Sequence, residues 1–402
     1  MHRFLAALTI AFALVGCRGE PQANAQSLGQ AALEALVDSV MPSVASATGL
    51  PFRSKPAIGV RSREQVRGYL LAKLDQELPP ARLEGITAAY RLLGMIPDTL
   101  DVGRLIVDLY TEQVAGFYDP DSSMLYAVQG ADRTQLRLIL AHELVHALQH
   151  QYVALDSMMR SRDNADRLAA AQAVFEGQAT LVSMFTLVPD TAALANDAFW
   201  DTYRDQIRMA QAGMKVFASA PLVIREGLIF PYVGGADFAR WWRNNRPGTQ
   251  PFGPGIPVST EQVLHPERMG RGDAPVEVRF TDDTSGVMHD DTVGELEIAI
   301  LRSTLAGIDE VPTDPPMGWG GDRLRVYRSA EGPALVWYTV WDTPRDAATL
   351  TTWIAEPLAK RERAGYRTVV EPIVVSGRSG VRVVIAPGSW AGWGALPRVE
   401  LR

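Results

Sequence analysis

The segment ILAHELVHALQHQY, residues 139–152, constrains the fold more than any other part of this sequence. His142 and His146 are four residues apart, so on a helix their imidazoles share one face and lie close enough to bind one ion. Glu143 projects about 100° from His142, beside the pair. Apolar residues occupy the opposite side of the same helix, namely Leu136, Leu140, Leu144, Ala147 and Leu148. The pattern predicts a helix over roughly 133–153 with an apolar packing face and a polar site.

The same residues match the HExxH pattern, in which two histidines bind zinc and the glutamate acts as a general base. The chain contains only six histidines, so this spacing would rarely arise by chance. His150 projects about 80° from His142 and lies a full turn further on, which predicts a polar neighbour of the site or a solvated residue. The alternative interpretation is a histidine-rich surface helix that binds no metal.

A third metal ligand is expected from elsewhere, because catalytic zinc usually has three protein ligands and one open position. The best candidate is Glu176 in AAAQAVFEGQATLVSMF, where it is the only acidic residue between Arg167 and Asp190. Burying a lone carboxylate among small apolar residues is costly unless it meets a cation. Gly177 beside it removes a side chain where two helices could approach. An exposed glutamate on a surface helix is the alternative.

The motif HELVH, followed 30 residues after His146 by FEGQA, resembles the gluzincin group of zinc metallopeptidases. The resemblance covers residues 139–185. It implies a mainly helical, zincin-like α+β fold and an enzyme that hydrolyses peptide bonds. Zn²⁺ would be bound by His142, His146 and Glu176. Glu143 would be the base that activates water. Many gluzincins have an acidic residue four positions after the ligand glutamate to orient a histidine, and this chain has Thr180 there. The resemblance therefore supplies no such orienting partner.

Two flanking segments, EQVAGFYDP before the helix and STEQVLHPER at 259–268, resemble segments of uncharacterised bacterial envelope proteins that carry the same zinc motif. The implied chemistry also needs a group that stabilises the developing oxyanion. His265 in LHPER and Tyr232 in IFPYVGGADFARWW are candidates, because both stretches are rich in Gly or Pro and could loop over a cleft. Each could equally be structural.

The stretch GFYDPDSSMLYAV, residues 116–128, alternates aromatic and small residues around a turn-forming centre, which predicts a hairpin. This hairpin could offer an edge strand to an extended peptide. It could equally be a core hairpin without a binding role.

The first residues, MHRFLAALTIAFALVGCRGE, predict an export signal, because the apolar run is too short to span a membrane as a mature helix. LVGC at 14–17 resembles a bacterial lipobox, which would make residues 1–17 a lipoprotein signal peptide and Cys17 the lipidated residue. The alternative is an incidental cysteine in an ordinary secretory signal. Residues 18–30 are expected to form a flexible tether. The protein is therefore expected to be exported to the cell envelope and attached to the membrane by lipid alone.

The overall composition is that of a globular protein, with 47% hydrophobic and 21% charged residues. A formal net charge of −7 without basic blocks argues against a nucleic-acid partner. The expected partner is a peptide or protein substrate. Cys17 is the only cysteine, so no disulfide within the chain is expected.

The order of elements predicts an α+β protein in two parts. A metallopeptidase-like domain is expected over 31–310, with short helices to 110, helices over 165–188, 191–218 and 293–307, and extended loop over 245–290. After a Pro-rich boundary at 311–318, residues 319–402 predict a small α+β region of order β-β-α-β-β, for packing or partner recognition. Two functions remain, a lipid-anchored zinc peptidase and an envelope scaffold or binding protein with a structural zinc site.

Overall fold

The computed structural model of the chain describes residues 9–12, 29–129, 133–154, 164–312, 318–361 and 363–402. Cys17, most of the predicted signal peptide and tether, and most of the 311–318 boundary lie outside the described residues. The chain combines α-helices and β-sheets, and helices predominate. Within the described ranges, no helix is both long and apolar enough to cross a membrane.

The first part consists of four helices and a short strand. They are α1 (Gln30–Thr48), β2 (Ala57–Arg61), α2 (Arg63–Glu77), α3 (Pro80–Leu93) and α4 (Val102–Gln113). Ser62 and Gln65 form a capping box that starts α2, and the Asp101 carboxylate caps α4. The expected short helices are therefore confirmed. The strand β2 was missed, because it is set by a parallel pairing with a distant segment rather than by a local pattern.

A small sheet supports the histidine helix. Its other strands are β1 (Thr9–Phe12), β3 (Val114–Asp119) and β4 (Met124–Val128), and the strand order is β1-β3-β4-β2. β3 and β4 form the predicted antiparallel hairpin. β1 lies in the predicted signal peptide. It pairs antiparallel with the outer edge of β3, with Thr9 opposite Tyr118. The outer edge of the hairpin therefore accepts an extended segment of this chain.

Three long helices position the candidate site, α5 (Arg133–Tyr152), α6 (Ala165–Leu187) and α9 (Leu222–Asn245). The helices predicted over 133–153 and 165–188 are confirmed. At the α6–α9 crossing, a β-carbon on Gly177 would lie 2.0 Å from backbone atoms of Gly235, so neither helix tolerates a side chain there. This confirms the expectation that Gly177 permits a close helix approach.

Shorter elements connect these helices to the second sheet. They are a 3₁₀ turn (Thr191–Ala195), α7 (Asp197–Ala212), α8 (Lys215–Ser219), α10 (Thr260–Leu264), α11 (Pro266–Gly270), β5 (Val278–Phe280), β6 (Val287–Asp291) and α12 (Gly294–Leu305). The prediction of extended loop with little regular structure over 245–290 is therefore only partly correct, because four short elements lie within or at the end of this stretch. Ser259, for example, caps α10 through the backbone N–H of Gln262.

The loop predicted around Tyr232 is also wrong, because Tyr232 lies inside α9. Pro231 removes one hydrogen bond from that helix. The neighbouring Leu228, Ile229 and Phe230 are buried, so tertiary packing outweighs the local signal of Pro231 and the two glycines that follow.

The C-terminal region has the predicted β-β-α-β-β order, in β7 (Trp319–Tyr327), β8 (Ala334–Trp341), α13 (Pro344–Lys360), β9 (Tyr366–Val375) and β10 (Arg378–Pro387). The antiparallel sheet has the order β6-β7-β8-β10-β9. Its first strand, β6, precedes the predicted boundary at 311–318, so that boundary does not separate the two parts cleanly. A 3₁₀ turn (Ala391–Gly394) and β11 (Val399–Leu401), which pairs with β5, complete the chain. Trp337 and Trp341 are buried in the core.

Asp322 joins this sheet to the helical part. Its carboxylate accepts hydrogen bonds from the backbone N–H groups of Val293 and Gly294, both at 2.8 Å, at the start of α12. The indole N–H groups of Trp319 and Trp337 donate to the same carboxylate. A buried anion at a helix N-terminus is favourable because it meets unpaired N–H donors.

Candidate metal centre

His142, His146 and Glu176 lie together at the contact between α5 and α6. The Nε2 atom of His142 is 2.9 Å from Oε2 of Glu176, and Nε2 of His146 is 3.2 Å from the same oxygen. The two Nε2 atoms are 3.1 Å apart. All three side chains are buried. The sequence prediction that these residues form one group is confirmed, and the alternatives of surface histidines and an exposed Glu176 are wrong.

These three atoms fit a small tetrahedral cation. A zinc ion with ligand distances of roughly 2.0–2.1 Å separates its ligand atoms by about 3.3–3.4 Å, so the observed spacings are only a few tenths of an ångström shorter. Two imidazole nitrogens that face each other across 3.1 Å need a proton or a cation between them. Two neutral imidazoles and one carboxylate are also a common donor set for catalytic zinc. The group could therefore hold a metal ion.

Without a metal, charge within the group is balanced by a proton. Burial disfavours the cation of His146, but the carboxylates of Glu176 and Glu143 outweigh this effect and raise its pKa to about 9. Burial likewise disfavours the Glu176 carboxylate, yet the two imidazoles lower its pKa to about 2. Burial lowers the pKa of His142. An imidazolium and carboxylate pair therefore balances the charge of the group, and a metal ion bound there would displace the proton.

Glu143 lies beside this group and is fully buried. Its Oε2 atom accepts a hydrogen bond from the backbone N–H of Tyr118 on β3, at 2.6 Å. The Tyr118 hydroxyl in turn lies 2.8 Å from Nδ1 of His150. His150 is thus a polar neighbour of the site, as predicted, and it does not belong to the ligand group. The strand β3 fixes the position of Glu143, a contact that the helix pattern alone does not reveal.

Tyr232 reaches the group from α9, one turn before the Gly235 crossing. Its ring stacks on that of His142, with centroids 5.9 Å apart, and its hydroxyl hydrogen-bonds Glu176. Burial and the nearby Glu176 and Glu143 carboxylates raise the pKa of Tyr232 well above its ordinary value, so the phenol stays protonated and donates. The structure therefore places this candidate at the site. Tyr110 on α4 is a second buried tyrosine near Glu176, and no sequence pattern pointed to it.

His265, the other oxyanion candidate, has a different partner. It lies between α10 and α11, and its Nε2 atom is 3.2 Å from Oε1 of Glu295 on α12. Among the described residues, His265 is not part of the group with metal-ligand spacing. Its contact with Glu295 is typical of a histidine that joins packed helices.

A chain of three glutamine side chains runs away from His146. Nδ1 of His146 is 2.9 Å from Oε1 of Gln149, and the Gln149 amide donates to Phe175 O at 3.1 Å and to Gln178 at 2.9 Å. Gln178 donates to Gln250 at 2.8 Å. Gln250 donates to the backbone carbonyl of Thr48 at 2.9 Å. Sequence reasoning missed this chain, because three of its four links join distant segments.

A second group of acidic side chains, formed by Glu261, Asp273 and Asp342, also has metal-ligand spacing. The guanidinium of Arg268 contacts all three carboxylates. Because Arg268 already supplies the positive charge, this group is an ion-pair cluster.

Comparison with known proteins adds one finding. A family profile described as a domain of unknown function, DUF8575, matches residues 280–392. This segment covers the C-terminal sheet and leaves out α5 and α6. No curated protein and no solved structure matches the chain.

Proposed function

We propose that this protein is a zinc-dependent peptidase with a zincin-like, gluzincin-type active site. The observation that carries the proposal is a buried group of two histidines and a glutamate with a second carboxylate, Glu143, beside it. In the described part of the chain the group contains no fourth His, Cys, Asp or Glu ligand. A structural zinc site is normally closed by a fourth side chain, whereas a catalytic site keeps that position open.

When bound, zinc would polarise the scissile carbonyl and lower the pKa of a water molecule toward neutrality. Glu143 would accept the proton of that water and return it to the leaving amine. The Tyr118 N–H holds the Glu143 carboxylate on the side of the ligands that faces β3. Tyr232 offers a protonated hydroxyl next to Glu176, which suits a donor to the developing oxyanion.

The outer edge of β3 supports an extended peptide as the substrate. β1 already pairs antiparallel with this edge, and Thr9 lies opposite Tyr118, the residue that bonds Glu143. A peptide docked in the same way would run past the proposed base and gain affinity from backbone hydrogen bonds. Cleavage before Cys17 would remove β1 and leave the edge free. Of the two interpretations of the hairpin, we therefore favour the edge strand.

The predicted lipoprotein signal peptide, residues 1–17, supports a location of the protein in the cell envelope. We propose that the protein is exported and anchored to the cell envelope through lipidated Cys17, which would bring the site to envelope peptides and proteins. Membrane fractionation of the wild type and of Cys17→Ala checks this location. Fully soluble, intact wild-type protein would contradict it.

The activity is tested by digestion of a broad peptide library with purified, zinc-loaded protein. We expect new peptide termini to form, cleavage to stop when a chelator removes zinc, and cleavage to return when zinc is added back. A fully loaded protein that cuts no peptide would favour an envelope scaffold or binding protein with a structural zinc site.

A further inference from the structure

The glutamine chain described above fixes the orientation of His146. Only one placement of the oxygen and the NH₂ group of each glutamine satisfies all of its hydrogen bonds. A backbone carbonyl can accept a hydrogen bond but cannot donate one. Thr48 O therefore requires the NH₂ group of Gln250 on its side, so Oε1 of Gln250 faces Gln178. For the same reason, the NH₂ group of Gln178 faces Gln250, and Oε1 of Gln178 faces Gln149.

Gln149 is fixed independently by a second carbonyl. Phe175 O, in the turn of α6 that carries Glu176, accepts from Nε2 of Gln149. The two hydrogens of this NH₂ group are then used by Phe175 and Gln178. Oε1 of Gln149 must face His146, and it accepts the only hydrogen that Nδ1 can offer. Two backbone carbonyls on different helices, Thr48 O and Phe175 O, thus determine that the oxygen of the Gln149 amide faces His146.

We propose that Gln149 is the positioning residue of the metal centre, and that Gln178 and Gln250 support it. It holds the hydrogen of His146 on Nδ1 and leaves Nε2, the atom that faces Glu176 and His142, free to bind the metal. Metal-ligating histidines need such a partner, because it sets both the tautomer and the ring orientation. The inference rests on the proposed metal site but not on the reaction.

The choice of a neutral amide has its own consequence. A carboxylate at this position would add negative charge behind the ligand and make the imidazole more basic. Gln149 supplies the orientation without that charge, in a site where Glu176 and Glu143 are already buried. Residue 180, four positions after Glu176, is a threonine and not an acidic residue. The partner that orients His146 lies instead on α5, three residues after His146.

The test compares zinc dissociation constants, measured by competition with a chelator, for four proteins. We expect Gln149→Leu, which keeps the bulk but removes the acceptor, to weaken zinc binding by about 10–100-fold. Gln178→Leu should cause a smaller loss, because Phe175 O still holds Gln149. Gln211→Leu is the matched control, since Gln211 is a buried glutamine on α7 that does not belong to the glutamine chain. This variant should bind zinc like the wild type.

A second measurement separates positioning from general stability. In zinc-loaded wild type, the Nδ1–H of His146 should give a slowly exchanging imidazole proton resonance, and Gln149→Leu should lose it while Gln211→Leu keeps it. Wild-type zinc affinity in Gln149→Leu, or an unchanged imidazole resonance, would overturn the inference. Zinc binding with these differences but without peptide cleavage would instead defeat the proposed peptidase function alone.

Discussion

At the scale of single residues, the candidate metal centre brings together His142, His146 and Glu176. His142 and His146 are four residues apart on one helix, so their meeting follows from helix geometry. Glu176 could be selected because a lone carboxylate among apolar residues needs a cation. The groups that hold Glu143 and His146 in place could not be selected, because Tyr118 N–H and Phe175 O are backbone atoms of other elements.

His146 and His150 of the motif segment should behave differently when replaced. His146→Ala removes a ligand atom and should abolish stoichiometric zinc binding. His150→Ala removes the hydrogen bond and the ring contact with Tyr118, so it should retain one zinc per chain and lose about 0.5–1.5 kcal/mol of stability. Elemental analysis of the purified variants measures this difference. A zinc-free His150→Ala protein that is still folded would show that the ligand set is wrong.

Among elements, the crossing of α6 and α9 brings Tyr232 to the candidate metal centre. Tyr232 can stack on His142 only if the helices approach as closely as Gly177 and Gly235 allow. Gly177 was predicted only to permit a close approach of two helices, and α9 itself was mistaken for a loop. The error has a physical cause, since Pro231 and two glycines are local helix breakers and the helix is stabilised by burial.

Gly235→Ala should therefore destabilise the protein. The new methyl group would lie 2.1 Å from the backbone oxygen of Ala173, and forcing the helices apart should cost about 1–3 kcal/mol. Gly68→Ala is the matched control, because Gly68 is exposed on α2 and its β-carbon would meet nothing within 4 Å. It should stabilise the protein by about 0.5–1 kcal/mol. Denaturant unfolding of the zinc-free proteins compares them, and equal stability of the two variants would refute the close-packing argument.

For the whole molecule, the mixture of helices and sheets and the β-β-α-β-β order were predictable because they follow from local periodicity. The partition into two parts was less predictable. β6 pairs with β7 across the expected boundary, and Asp322 bonds the start of α12, so both contacts join segments on either side of it. The DUF8575 match at 280–392 also begins before that boundary. Strand pairing between distant segments, rather than linker composition, defines the sheet.

The central claim, that Glu143 is the base of a zinc peptidase, is tested most directly by measuring bound zinc and peptide turnover together in Glu143→Gln. The glutamine oxygen can still accept the Tyr118 N–H but cannot take a proton, so zinc content and folding should match the wild type. Turnover should fall by about 10²–10⁴-fold. Glu176→Gln should instead lose zinc, because a neutral amide is a poorer ligand. Unchanged turnover in a fully zinc-loaded Glu143→Gln protein would contradict the account.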